Sequence, residues 1–288
     1  MKLQISGSVG RGGENRASDV KRVKALLNVH RRQRALPALA VDPAPGSGLE
    51  TAIARFQNDQ GDTVASGLVG TSSQTWAWLK DTLANSRTSA AIIPPTKGLL
   101  TWEAEGREGG RYHSRILHVP SASSGLTVGR GYDLRERSRA EVTQHLTASG
   151  VDAGLALRVA GGVRLFGTAA EEYIIDSDLL DFEISACVQL QLFKTVYAEM
   201  EQDVIRICGK KDVVERYGET DWSTLNSRIR DTLVDLRFRG DYIGATRRYV
   251  QPPVVANDLV EFRKVIESSE LWNSVPADRS QRRVRYLI

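Results

Sequence analysis

Apolar residues in the first 85 positions recur at helical spacing in three short blocks. Over 18–33, Val20, Val23, Leu26 and Leu27 fall on one helix face, with Ser18 placed to cap the start and Asp19 in the first turn. A loop from Pro43 to Gly48 precedes a second block, 49–61, in which Ala52, Ile53 and Phe56 share a face and Gly61 ends the run. Gly67 to Gly70 reads as a turn. Residues 73–84, with Thr75, Trp76 and Leu79, form the third predicted helix. Small polar residues and the pair Pro94-Pro95 then mark a linker over 86–98.

Beyond the linker the pattern changes once. A short helix is expected over 98–106, then an irregular stretch and a glycine-rich hairpin over 124–134. Ser138 followed by Glu141 is a capping-box signature for a helix over 138–148. A long helix over 184–207 would bury Cys187, Val188, Leu190, Leu192, Val196, Met200 and Ile205. Segments 224–238, 257–270 and 279–287 also carry helical periodicity. The expected class is mainly α, with α+β character: a three-helix domain over 1–85, the linker, and a domain over 99–288 with one hairpin and many helices.

With 288 residues, 41% of them hydrophobic, the chain can build two real cores. No run of eighteen apolar residues suggests membrane insertion, and the start Met1-Lys2-Leu3-Gln4-Ile5 lacks the apolar core of a signal peptide. The expectation is synthesis in the cytoplasm. Two cysteines set no disulfide framework; Cys187 reads as a core residue, and a bond to Cys208 has no support. The formal charge of +4 is uneven. Residues 1–85 hold 11 basic and 7 acidic groups, whereas 99–288 hold 26 and 28. The amino-terminal part would therefore attract anionic polymers. No nucleic-acid-binding motif accompanies that charge.

The candidate chemistry lies in Gly125-Leu-Thr-Val-Gly-Arg-Gly-Tyr-Asp133, about twenty residues after Glu105-Gly106. A glycosidase needs one carboxyl group to protonate a leaving oxygen and a second on the opposite face of the sugar. Thr127 and Asp133 are an even number of residues apart, so a regular strand would put them on one face. Alone, the Gly-x-Gly would read as an exposed turn. A dinucleotide fingerprint fails because position 134 is Leu134. Arg130 and Tyr132 alternate with the glycines and would either line a cleft or pack the hairpin. His113 and His118 flank the segment, but no zinc-type spacing is present. All four histidines precede Cys187, the reverse of the order in papain-like wall endopeptidases. The arginines over 228–239 and those at 279, 282, 283 and 285 read as ion-pairing faces, with Arg237 or Arg239 as candidates to reach a cleft.

The pattern Glu105-Gly106 … Ser-Ser-Gly-Leu-Thr-Val-Gly-Arg-Gly-Tyr-Asp-Leu resembles the active-site hairpin of phage-type lysozymes, and most of all the pesticin-like branch. The resemblance implies roles. Glu105 would be the general acid, with Glu103 as the competing assignment and Glu108 nearby. Asp133 would position or deprotonate the attacking water, and Thr127 would orient it. Apart from the resemblance, Arg130 and Tyr132 would be substrate contacts if they line the cleft rather than pack the hairpin. No cofactor or metal is implied. Residues 8–82 resemble the three-helix peptidoglycan-binding domain of wall hydrolases, through Asp19-Val20, Leu26-Leu27, Val41-Asp42, Thr51-Ala52, Phe56-Gln57, Gly67, Val69-Gly70 and Thr75. The loop Asp42-Pro-Ala-Pro-Gly46 replaces that family's compact Asp-Gly turn.

Together these imply a muramidase, a glycoside hydrolase that cleaves the β-1,4 bond between N-acetylmuramic acid and N-acetylglucosamine by inversion. Alternatives are a non-catalytic wall-binding protein on a degenerate lysozyme fold, or an N-acetylmuramoyl amidase. Peptidoglycan is the expected partner, without nucleic acid. Without a signal peptide, the expected settings are a phage endolysin released through a holin, a bacteriocin, or an antibacterial effector of a contact-dependent secretion machine such as type VI. The last would act in the periplasm of a target bacterium and would imply an immunity protein.

Overall fold

The computed structural model describes residues 3–88, 92–109 and 113–288. Met1 and Lys2, part of the expected linker (89–91) and part of the irregular stretch (110–112) lie outside the described residues. Among the described residues there are thirteen helices and two two-stranded antiparallel sheets, so the protein is mainly α. By internal contacts it divides into two units: Met1–Ala91 with Gly109–Val188, and Ile92–Glu108 with Gln189–Ile288.

The first unit starts with β1 (Val9–Gly10), α1 (Ala17–Gln33), α2 (Ser47–Asp59), β2 (Leu68–Val69) and α3 (Gln74–Asn85). Val20, Val23, Leu26, Ile53, Phe56 and Leu79 are buried, which is the expected apolar face. Two details differ from the sequence reading, and a third adds to it. First, α1 begins at Ala17 with Arg16 at its N-cap, so Ser18 caps nothing. Asp19 turns inward and accepts from the Ser6 and Gly7 N–H groups and the Ser6 hydroxyl. Second, the 67–70 turn supplies a strand: β2 pairs with β1 in the register Val9↔Val69. Third, Gln57 works as a buried connector. Its amide donates to Leu68 O and the Thr75 hydroxyl, and its Oε1 accepts from Gly67 N. The departing loop is tied by Lys24, which donates to Asp42 Oδ1 at 2.7 Å and Ala44 O at 2.8 Å. Trp76 is core, and Trp78 is half-buried.

The same unit continues with β3 (Thr127–Val128), β4 (Tyr132–Asp133), α5 (Arg139–Ala148), α6 (Ala153–Ala160) and α7 (Gly167–Asp176). The capping box at α5 is present: Ser138 Oγ accepts from Glu141 N, and Glu141 accepts from Ser138 N. Basic residues of α1 meet acidic residues at and after α7. Lys21 pairs with Asp176 at 2.9 Å, Arg22 with Glu172, and Arg32 with Asp178 and Asp181 at 2.6 Å each. Thr88 adds two bonds to Glu183.

The second unit consists of α4 (Leu99–Ala104), most of α8 (Ala186–Cys208), α9 (Lys211–Tyr217), α10 (Ser227–Arg239), α11 (Gly244–Val255), α12 (Leu259–Glu267) and α13 (Ala277–Tyr286). Its core includes Trp102, Phe193, Tyr197, Leu233, Phe262 and Trp272. The two cysteines are free and reverse the expectation. Cys187 is exposed, because the buried face of α8 carries Leu192, Phe193, Val196, Tyr197 and Val204 instead. Cys208 is the buried one, with Sγ 3.3 Å from the Tyr242 hydroxyl. No helix among the described residues is long and apolar enough to cross a membrane.

Candidate active site

Glu105 closes α4. The helix buries Leu100, Thr101 and Trp102, and the Trp102 ring meets Phe193 edge-on at 5.0 Å. That packing aims the last turn at α13. Arg279 Nη1 donates to Glu105 Oε1 at 2.5 Å, and Arg279 Nη2 donates to Asp235 Oδ1 at 2.7 Å. Asp235, on α10, is fully buried and also accepts from Arg283 Nε at 2.6 Å. Arg283 reaches on to Asp241 at 2.8 Å. Five charges thus alternate in sign, from Glu105 through Arg279, Asp235 and Arg283 to Asp241. A buried acid such as Asp235 persists only when paired in this way.

Burial raises the proton affinity of Glu105 above the ordinary carboxyl value. Arg279 opposes that shift, and the neighbouring Asp235 charge supports it. A helix C-terminus also disfavours a carboxylate. Glu103 lies on the same helix but half-exposed, paired with Arg282 at 3.2 Å. The two glutamates therefore differ in environment: Glu105 is largely buried against Arg279, and Glu103 stands half-exposed.

In the first unit, Thr127 and Asp133 are cross-strand partners, and Val128 pairs with Tyr132. Residues directly opposite on antiparallel strands share a face. The expected common face is present, arising from a hairpin rather than from periodicity along one strand. Gly129 and Gly131 turn the chain with φ of 65° and 78°, values open to glycine at little cost. Asp133 is fixed by backbone: Oδ1 accepts from Arg135 N at 2.8 Å and Oδ2 from Gly125 N at 3.2 Å. The buried Thr127 hydroxyl donates to Gly125 O at 3.1 Å. Gly125 has no side chain for a further reason. A Cβ there would collide with Asp133 Oδ1 and lie 2.6 Å from Arg135 Cβ.

Tyr132 is fully buried. Its hydroxyl lies 3.1 Å from His145 Nδ1, and Arg137 covers its ring at 4.4 Å. Arg130 is also buried. Of the two readings offered by sequence, hairpin packing is what the structure gives Tyr132, which leaves it no open stacking face. His118 pairs with Thr127 through both backbone bonds. Its Nδ1 lies 2.9 Å from Ile116 O, which can only accept, so Nδ1 carries the hydrogen. Burial lowers the His118 pKa. His113 bonds to Glu183 at 2.9 Å. Arg237 pairs with Asp203 of α8, and Arg239 pairs locally with Asp241.

Sequence reasoning missed Asp235 as the buried anchor of the Glu105 network, the role of Gly125 as the seat of Asp133, and Arg135 with Phe166 beside it. The arginine cluster near 279 was a usable signal, since unpaired cations at that density need acidic partners somewhere in the fold.

No curated protein matches the chain. A family model described as "Domain of unknown function (DUF8812)" matches residues 98–284. That span is more than half of the chain and includes the positions of Glu105, the hairpin and Arg279, and the protein accordingly belongs to the DUF8812 family.

Proposed function

We propose that this protein is a peptidoglycan muramidase. The observation that carries the reading is the Thr127–Asp133 pair, set side by side on a hairpin and held by backbone bonds. The Thr127 proton is committed to Gly125 O, so its oxygen is an acceptor for a water O–H. Each Asp133 oxygen keeps a lone pair after its backbone bond and accepts the second proton. A water held by both acceptors has its own lone pair free for attack on the anomeric carbon. Glu105, with raised proton affinity, supplies the proton for the leaving oxygen. The outcome is inversion by direct water attack.

The first 85 residues serve as the wall-binding part, and their excess of basic groups favours an anionic polymer. In this reading the protein is an antibacterial effector or an endolysin that acts on the wall of a target cell, and an effector role brings a cognate immunity protein.

The test is digestion of purified sacculi. New reducing ends mark glycosidic cleavage; free amino groups without reducing ends would mean an amidase. Glu105→Gln should lower the rate by about 10²–10⁴-fold with folding intact, and Glu103→Gln should not. No digestion by the wild type, or a dead Glu103→Gln with an active Glu105→Gln, would overturn the assignment.

A further inference from the structure

Phe166 is an anomaly in the first unit. It keeps 52% of its surface exposed, yet it is not on a free loop. Its backbone is extended and pairs with Gly125 in an antiparallel bridge. The next residue, Gly167, has φ of 53° and donates to Ser124 O at 3.1 Å. A Cβ at Gly167 would lie 2.6 Å from Ala122 O, so the close approach requires glycine. The chain thus spends two constrained glycines, 125 and 167, on holding an exposed aromatic ring next to the strand that seats Asp133.

Arg135 completes the arrangement. Its guanidinium carbon lies 4.9 Å from the Phe166 ring centroid, and its Nη1 donates to Ser123 O at 2.6 Å. Its backbone N–H is the one that holds Asp133 Oδ1. Nη2 has no protein acceptor among the described residues. Ser121, Ser123 and Ser124 add three linked hydroxyls at the same rim. An exposed ring, a planar donor and clustered hydroxyls match the two sides of a sugar: its C–H face stacks on the ring, and its hydroxyl and amide oxygens accept from the arginine. A polyanion such as nucleic acid fits worse, because the Asp133 and Glu136 carboxylates both lie against Arg135.

We infer that Phe166 and Arg135 form a platform that binds a pyranose ring of an N-acetylated glycan strand beside Asp133. This rests on the muramidase reading for its substrate class. It adds two specificity residues that the sequence motif does not contain.

The experiment uses the full chain carrying Glu105→Gln, so that ligand is not consumed, titrated calorimetrically with N-acetylchitopentaose. Adding Phe166→Ala should weaken binding about tenfold. Phe166→Trp should retain it, while Phe166→Leu, which keeps apolar bulk without a π face, should behave like alanine. Arg135→Met should weaken binding as well, and thermal melts verify that each variant is folded. Equal affinity in Phe166→Ala, no binding by the parent, or tighter binding of a single-stranded oligonucleotide would overturn the platform. The two proposals separate cleanly. Phe166-dependent binding without wall cleavage by the wild type keeps the platform and removes the muramidase; cleavage with unchanged Phe166→Ala binding does the reverse.

Discussion

Arg279 bonds Glu105 and Asp235 with different nitrogens of one guanidinium, at 2.5 and 2.7 Å. One side chain therefore restrains the proton affinity of the proposed acid and neutralises a fully buried aspartate. Arg279→Met should raise the Glu105 pKa further, since the arginine is what opposes the effect of burial. The alkaline limb of the pH–activity profile should move to higher pH. Stability should drop by about 3–5 kcal/mol, because a buried charge loses a partner. An unmoved limb with the expected loss of stability would make Arg279 structural only.

Glu105 also makes a pH-dependent contribution to folding. Its folded-state pKa exceeds the ordinary value of 4.5, so above that value the native state still holds a proton that the unfolded chain has released. This stabilisation is complete below the unfolded pKa and is lost as pH rises through the folded one. Glu105→Gln cannot titrate. Urea melts of this variant should lack that fall in stability on the way up from pH 4.5, and a wild-type slope in the variant would assign the titration to another group.

Gly125→Ala tests the seat of Asp133. The added methyl would lie 2.6 Å from Arg135 Cβ and 2.9 Å from Arg135 N, besides its collision with the carboxylate. Overpacking of this kind costs about 1–3 kcal/mol. The larger effect should be on turnover, through a displaced Asp133. A variant that is destabilised but fully active per folded molecule would show that the position of Asp133 is not critical.

Thr127 and Asp133 should behave as one unit. Asp133→Asn removes the charge that takes up the water's proton, so turnover should collapse. Thr127→Ala should cost less. The double variant should be little worse than Asp133→Asn alone, because groups acting on one water are non-additive. Rates of reducing-end release for the four proteins decide the matter: clean multiplication of the single losses would separate the two residues.

The ion pairs from Lys21, Arg22 and Arg32 to the segment 172–181 predict that residues 1–85 stabilise the fold as well as bind the wall. Each pair is partly exposed and worth about 0.2–1 kcal/mol. A chain limited to residues 99–288 should melt below the full protein and lose activity on intact sacculi more than on soluble fragments. High salt should narrow the difference in melting, by screening pairs that only the full chain can form. Identical melting of the two chains at low salt would mean that these pairs contribute nothing.

What the sequence determined by itself lies within a few residues of chain. The Ser138–Glu141 capping box, the faces of α1 to α3, and the Gly129-Arg130-Gly131 turn that sets Thr127 against Asp133 are all short-range relationships, read from spacing and from what glycine permits. The tertiary structure decided the rest. Pro252 and Pro253 argue locally against a helix, yet α11 forms around them because Val250, Pro253 and Val254 are buried. Cys187 faces solvent and Cys208 the core because of how α8 is rotated in its packing, which apolar content alone does not specify. Glu105 and Arg279 are 174 positions apart, and Phe166 is brought near Asp133 by pairing with Gly125, 41 positions away in the chain. Local propensity acts over about one helical turn. The partner of a buried charge is chosen by which distant helices pack together, and that choice appears only when the chain is folded.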